Sequence, residues 1–158
     1  MNRRSFLAAA AIGTITTGIS ALAAADHYFP AKVDGTLFST INRVKVSGKK
    51  NPLEMSHVPL ISAPVSVKAG ETFLVEVSVG EKVHDMGPTH WIEYIELSIG
   101  NEPAGRIEFQ PGGFMKPKAS FTIALPKDVG LNGMATLVAT QRCNLQGLWE
   151  STLDITIL

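Results

Sequence analysis

The stretch that most constrains this chain is Phe73 to Val79, where Phe73, Val75, Val77 and Val79 alternate with Leu74, Glu76 and Ser78. Strict alternation lines apolar side chains along one face of an extended chain, because successive Cβ atoms point to opposite sides. The period returns in Phe121, Ile123 and Leu125, which alternate with Ser120, Thr122 and Ala124, and in Leu153, Ile155 and Ile157. From 91 to 99, Trp91, Glu93, Ile95, Leu97 and Ile99 are expected on one face, with Ile92, Tyr94, Glu96 and Ser98 on the other. Leu37 to Val46, Arg106 to Phe109 and Met134 to Thr140 read as further strands. Glu54 to Ile61 reads as a short extended segment that Pro59 and Pro64 keep out of a central strand. Glycine and proline punctuate these runs at Gly100-Asn101-Glu102-Pro103, at Pro111-Gly112-Gly113 and between Pro126 and Gly133. No stretch sustains a helical period. About seven short strands separated by such turns predict an all-β fold, an immunoglobulin-like antiparallel β-sandwich.

The chain has 158 residues, 45% of them hydrophobic, enough for one domain with a proper core and too few for two. Its 14 basic and 14 acidic residues cancel, and no basic block stands out, which argues against nucleic acid as a partner. Residues 1–25 read as a cleavable export signal rather than as fold. Arg3 and Arg4 precede Ser5-Phe6-Leu7 and a mildly apolar stretch, and Ala21, Ala23 and Ala25 offer a small-residue cleavage site. The paired arginines resemble the twin-arginine signal, which predicts a periplasmic location. Gly13 and Gly18 interrupt the stretch, so a membrane anchor is the weaker reading and no span is expected in the mature chain. The mature domain would be residues 26–158, with His27 solvent-exposed near its start.

Cys143 is the only cysteine. It cannot form an internal disulfide, which leaves a buried thiol, a reactive thiol or a metal ligand. Three upstream histidines, His57, His84 and His90, favour the last reading. His84 and His90 flank Asp85-Met86-Gly87-Pro88-Thr89, a loop able to bend both imidazoles toward one centre. Imidazole and thiolate together suit iron, copper or zinc. Taken singly, each residue is more often an ordinary surface or core group.

In combination they resemble a known family. His57-Val58-Pro59, the His84 and His90 pair followed by Trp91-Ile92-Glu93-Tyr94-Ile95-Glu96, and Cys143-Asn144-Leu145-Gln146-Gly147-Leu148-Trp149 are similar to the superoxide reductases, the group of neelaredoxins and desulfoferrodoxin iron domains. The likeness spans about residues 50 to 158 and implies an immunoglobulin-like β-sandwich. It implies one iron per chain, ahead of copper or zinc, with equatorial imidazoles from His57, His84 and His90 and an axial thiolate from Cys143. The fourth histidine of the family falls at Gln146, which can offer only a neutral amide oxygen. The glutamate and lysine that usually precede the first histidine are replaced by Met55 and Ser56.

On this resemblance the protein reduces superoxide to hydrogen peroxide and is re-reduced by an external one-electron donor protein; a homo-oligomer is compatible with it. Lys49 and Lys50, with Lys82 and Arg142 as further candidates, would attract the anion. Asn144 and Leu145 would give backbone N–H groups to the sulfur, while Trp149 and Trp91 would pack around the metal. With a single cysteine, the chain resembles the one-iron type. The alternatives are a non-catalytic periplasmic metal or electron-transfer protein on the same scaffold, and a metal-free immunoglobulin-like binding module. A blue-copper carrier is disfavoured, because no histidine follows Cys143.

Overall fold

The computed structural model describes residues 33–158; the expected export signal and His27 lie outside the described residues. The element order is α1 (Gly35–Phe38), β1 (Ile41–Asn42), α2 (Pro52–His57), β2 (Pro59–Ser62), β3 (Ser66–Val67), β4 (Thr72–Val79), β5 (Ile92–Ile99), β6 (Glu102–Glu108), β7 (Lys118–Ala124), β8 (Met134–Cys143) and β9 (Gly147–Ile157). The larger sheet runs β1-β9-β8-β5-β6, with β3 also on β9, and the smaller runs β2-β4-β7. The long ladders are antiparallel, whereas the two-residue pieces β1 and β3 join β9 in parallel. Val75, Val77, Val79 and Phe121 of the small sheet share one core cluster with Ile95, Leu97, Leu137, Ala139 and Ile155 of the large one. This is the expected sandwich. Each buried valine, leucine, isoleucine or phenylalanine contributes about 1.5–3 kcal/mol, so the core is a firm base for loops at its edge.

Local departures from the sequence reading have identifiable causes. Glu54 to His57 is helical, not extended. Asn51 accepts from the Glu54 N–H while Glu54 reaches back to the Asn51 N–H, a capping box with Pro52 in the first turn. Only Ile41–Asn42 of the expected strand from 37 to 46 pairs with a neighbour. In β5 a register shift between Ile92 and Tyr94 turns Ile92 inward beside Ile95 and Leu97, so the even-odd assignment fails at the strand's start. β6 begins at Glu102, inside the expected turn. Cys143 is the last residue of β8 rather than a loop residue, and Gly147 opens β9 directly opposite it.

Candidate metal centre

Four donor atoms converge at one end of the sandwich. The ligating atoms of His57, His84, His90 and Cys143 all lie within 4.8 Å of one another. Each is brought there by a different device. His57 ends α2, whose start is fixed by the capping box. His84 and His90 bracket the loop between β4 and β5, where the Met86 sulfur accepts from the Ile92 N–H at 3.4 Å. Asn144 clamps the end of that loop: Trp91 N–H donates to its Oδ1 at 2.9 Å, and its Nδ2 donates to the Thr89 carbonyl at 2.9 Å. Cys143 is held by two ladders, facing Gly147 on β9 and Ile92 on β5.

The protonation pattern follows from the backbone. His57 Nδ1 lies 2.9 Å from the Leu53 carbonyl, and His84 Nδ1 lies 2.5 Å from the Asp85 carbonyl. A carbonyl only accepts, so both Nδ1 atoms carry the proton and both Nε2 atoms present bare lone pairs. Those two Nε2 atoms face each other at 3.1 Å. The Gln146 Oε1, also an acceptor, stands 3.2 Å from His57 Nε2. Three lone pairs at such range repel unless a cation lies between them. Protonating the rings does not resolve this. Burial, then the neighbouring His57, pushes His84 down to about 4, and burial likewise lowers His57 against the opposing pull of the Leu53 carbonyl.

The spacing also fits a metal. Donors about 2.1 Å from one centre and at right angles lie about 3 Å apart. Around the ring, His84 and His57 are 3.1 Å apart, His57 and Gln146 3.2 Å, and Gln146 and His90 2.7 Å. Cys143 Sγ is 3.2 Å from His90 Nε2 and 2.9 Å from Gln146 Oε1, so the sulfur joins the same cluster of donors. Burial raises the Cys143 thiol, opposed by the backbone N–H groups of Leu145 and Gln146.

The Asn144 backbone N–H does not serve the sulfur as expected; it donates to the Trp91 carbonyl at 3.1 Å. The Trp149 ring stacks on His57 with centroids 5.3 Å apart, and its Nε1–H donates to the Gln146 carbonyl at 2.9 Å. Trp91 packs against the core cluster. A cleft of about 300 Å³ opens above the three histidines, walled by Met55, Ser56, Lys82 and Asp85, while Cys143 is sealed below with no exposed surface. Lys49 and Lys50 lie on a neighbouring hollow with Met55, and Lys50 is tied to Glu81 at 2.6 Å. Arg142 is tied to Glu93 at 3.2 Å. Among the described residues lining the cleft, Lys82 is the one lysine or arginine. Glu54, Asp85 and Gln141 escaped the sequence reading as supports of the site. Only Glu54 had a readable signal, Asn51-Pro52-x-Glu54.

The desulfoferrodoxin family matches residues 48–152. A relative from Methanocaldococcus jannaschii is 34% identical over 120 residues, covering 76% of this chain and 97% of its own length. The superoxide reductase of Pyrococcus horikoshii is 32% identical over 108 residues, covering 63% of this chain and 86% of its own. Among solved structures, the superoxide reductase (neelaredoxin) of Ignicoccus hospitalis has a TM-score of 0.63 at 34% identity, covering 80% of this chain and all 100% of that one. The sulfur carrier protein SoxY of Chlorobium limicola shares the fold alone, at 14% identity and a TM-score of 0.50. With the match spanning most of the described sandwich and every residue of the donor cluster, the chain belongs to the desulfoferrodoxin, or superoxide reductase, family of oxidoreductases.

Proposed function

We propose that the protein is an exported mononuclear iron enzyme that reduces superoxide to hydrogen peroxide. The observation that carries this reading is the pair of bare Nε2 lone pairs, on His57 and His84, aimed at each other at 3.1 Å above a buried thiol. A metal-free binding module gains nothing from such an arrangement and bears its repulsion. His57, His84, His90 and Cys143 would hold the iron, with the Gln146 amide oxygen as a further ligand. The support for Gln146 is its place in the ring of donors, next to His57 and His90 and within 2.9 Å of the sulfur. Bound iron would supply the single electron that, with two protons, turns superoxide into hydrogen peroxide.

The chain's own residues do the rest. The cleft reaches the three histidines but not the buried Cys143, so a diatomic anion would enter on the histidine side, and Lys82 contributes a positive charge to its wall. The Leu53 and Asp85 carbonyls fix the tautomers of His57 and His84 and so aim their nitrogens. The Leu145 and Gln146 N–H groups stabilise the thiolate once its proton has left. An external one-electron donor protein would restore the reduced state. Arg3-Arg4 and the alanine-rich cleavage stretch support export to the periplasm, with the protein carried folded across the membrane.

Gln146 also favours a second reading, a metal carrier without turnover, since an amide oxygen is a weaker donor than imidazole. Iron-loaded protein mixed with superoxide in a stopped-flow cell tests both. Stoichiometric peroxide and an oxidised product with a ferric-thiolate absorption band are expected, and Cys143→Ser should abolish that band. Iron binding without peroxide would establish the carrier. No iron uptake at all would defeat both readings.

A further inference from the structure

Gln141 stands on β8 two residues before Cys143, in an inward row whose other members, Ala135, Leu137 and Ala139, are apolar. It has no exposed surface. Its Nε2 donates to the His57 carbonyl at 2.8 Å. Its Oε1 is buried with no hydrogen-bond partner among the described residues. A half-satisfied buried amide costs free energy that an aliphatic side chain in the same row would not. The satisfied half lands at a place of consequence. Carbonyls in the last turn of a helix have no intrahelical donor, and His57 is the last residue of α2.

We infer that Gln141 is a positioning residue for the metal centre. It ties the main chain of His57 to the strand that ends in Cys143, so that imidazole and thiolate are set by one rigid element. The Leu53 carbonyl that orients the His57 ring belongs to the same helix, at 2.9 Å, so the helix end and the ring move together. The capping box fixes the N-terminal end of α2, and the Lys82 N–H bonds the Met55 carbonyl at 3.2 Å, but the carbonyl of the ligand residue itself is the group that Gln141 holds. The inference rests on the metal-centre reading.

The test compares the full chain, iron-loaded, as wild type, Gln141→Met and Gln141→Glu. Methionine fills the volume without a donor. A buried glutamic acid stays protonated and still donates through its hydroxyl. The readouts are the position of the ferric-thiolate band, the rate of iron loss to a chelator, and the melting curve of the metal-free protein. For Gln141→Met we expect a displaced band and iron loss about 10-fold faster, in the range found for groups that orient metal ligands, with melting close to wild type. Gln141→Glu should keep the wild-type band and rate. Wild-type behaviour of Gln141→Met, or equal displacement in both variants, overturns the role. Should the methionine variant not fold, the glutamate variant decides alone, wild-type behaviour supporting the role and displacement defeating it. Failure of the wild-type chain to take up iron would sink the metal reading instead, so the two failures are told apart.

Discussion

The Gln146 amide oxygen points into the donor cluster rather than away from it. Replacing it by histidine puts an imidazole where a neutral oxygen stands. Gln146→His should therefore tighten iron by about 10-fold to 100-fold in chelator competition and speed superoxide turnover. If both stay unchanged, residue 146 does not face the metal. His84 gives a second prediction at this scale. Its folded pKa, about 4, lies below its ordinary value of 6.5, so between these limits the unfolded chain binds the extra proton. Stability of the metal-free protein is then full above pH 6.5 and is lost as pH falls toward 4, by an amount on the order of 3 kcal/mol from His84. His57 shifts in the same direction and deepens the loss. Thermal melts of metal-free protein across this window check the sign; a melting temperature that rises on acidification would contradict it.

Two turns next to the ligand-bearing segments depend on a glycine with positive φ. Gly147 sits at φ +74 where β9 begins, and a Cβ there would run into the Leu37 carbonyl. Gly147→Ala should cost about 1–3 kcal/mol in denaturant unfolding and weaken iron binding, because the turn that aims Gln146 must open. The second is Gly80, at φ +78, where a Cβ would come within 2.6 Å of the Ser56 carbonyl. The turn it makes lies against the end of α2, and the Lys82 N–H bonds the Met55 carbonyl at 3.2 Å. This contact brings the Lys82 segment to the cleft wall. The helix itself was legible in Asn51-Pro52-x-Glu54, but the prolines that follow His57 suggested extension throughout. They govern only the residues after the helix, where Pro59 opens an edge strand.

At the scale of the whole molecule, 14 basic and 14 acidic residues give no net attraction for an anion, so any steering is local. Lys50 is held by Glu81 and Arg142 by Glu93, while Lys82 lines the cleft itself. Lys82→Met should lower the bimolecular rate with superoxide by about threefold to tenfold and flatten its dependence on ionic strength, whereas Lys50→Met should change it less. Pulse radiolysis at several salt concentrations separates the two. Equal effects would mean that the charge of the cleft wall is not what draws the anion. No helix among the described residues is long and apolar enough to cross a membrane.

The period-two runs at Phe73–Val79, Phe121–Leu125 and Leu153–Ile157 fixed a two-layer β fold by themselves, because a register one residue off would turn a whole strand's apolar face to water. His57, His84, His90 and Cys143 were also singled out in the sequence, by the order of their motifs and the family likeness, and the structure brings their donor atoms within 4.8 Å of one another. Which lone pair each histidine presents could not be read, because it depends on the Leu53 and Asp85 carbonyls and on how the chain bends to bring them there. The same holds for Gln141, an ordinary polar residue in the sequence until packing closes both sheets over it. Pattern records which face of an element is buried; only the folded chain decides which polar groups meet, because hydrogen bonds join residues as far apart along the chain as Asp34 and Leu145.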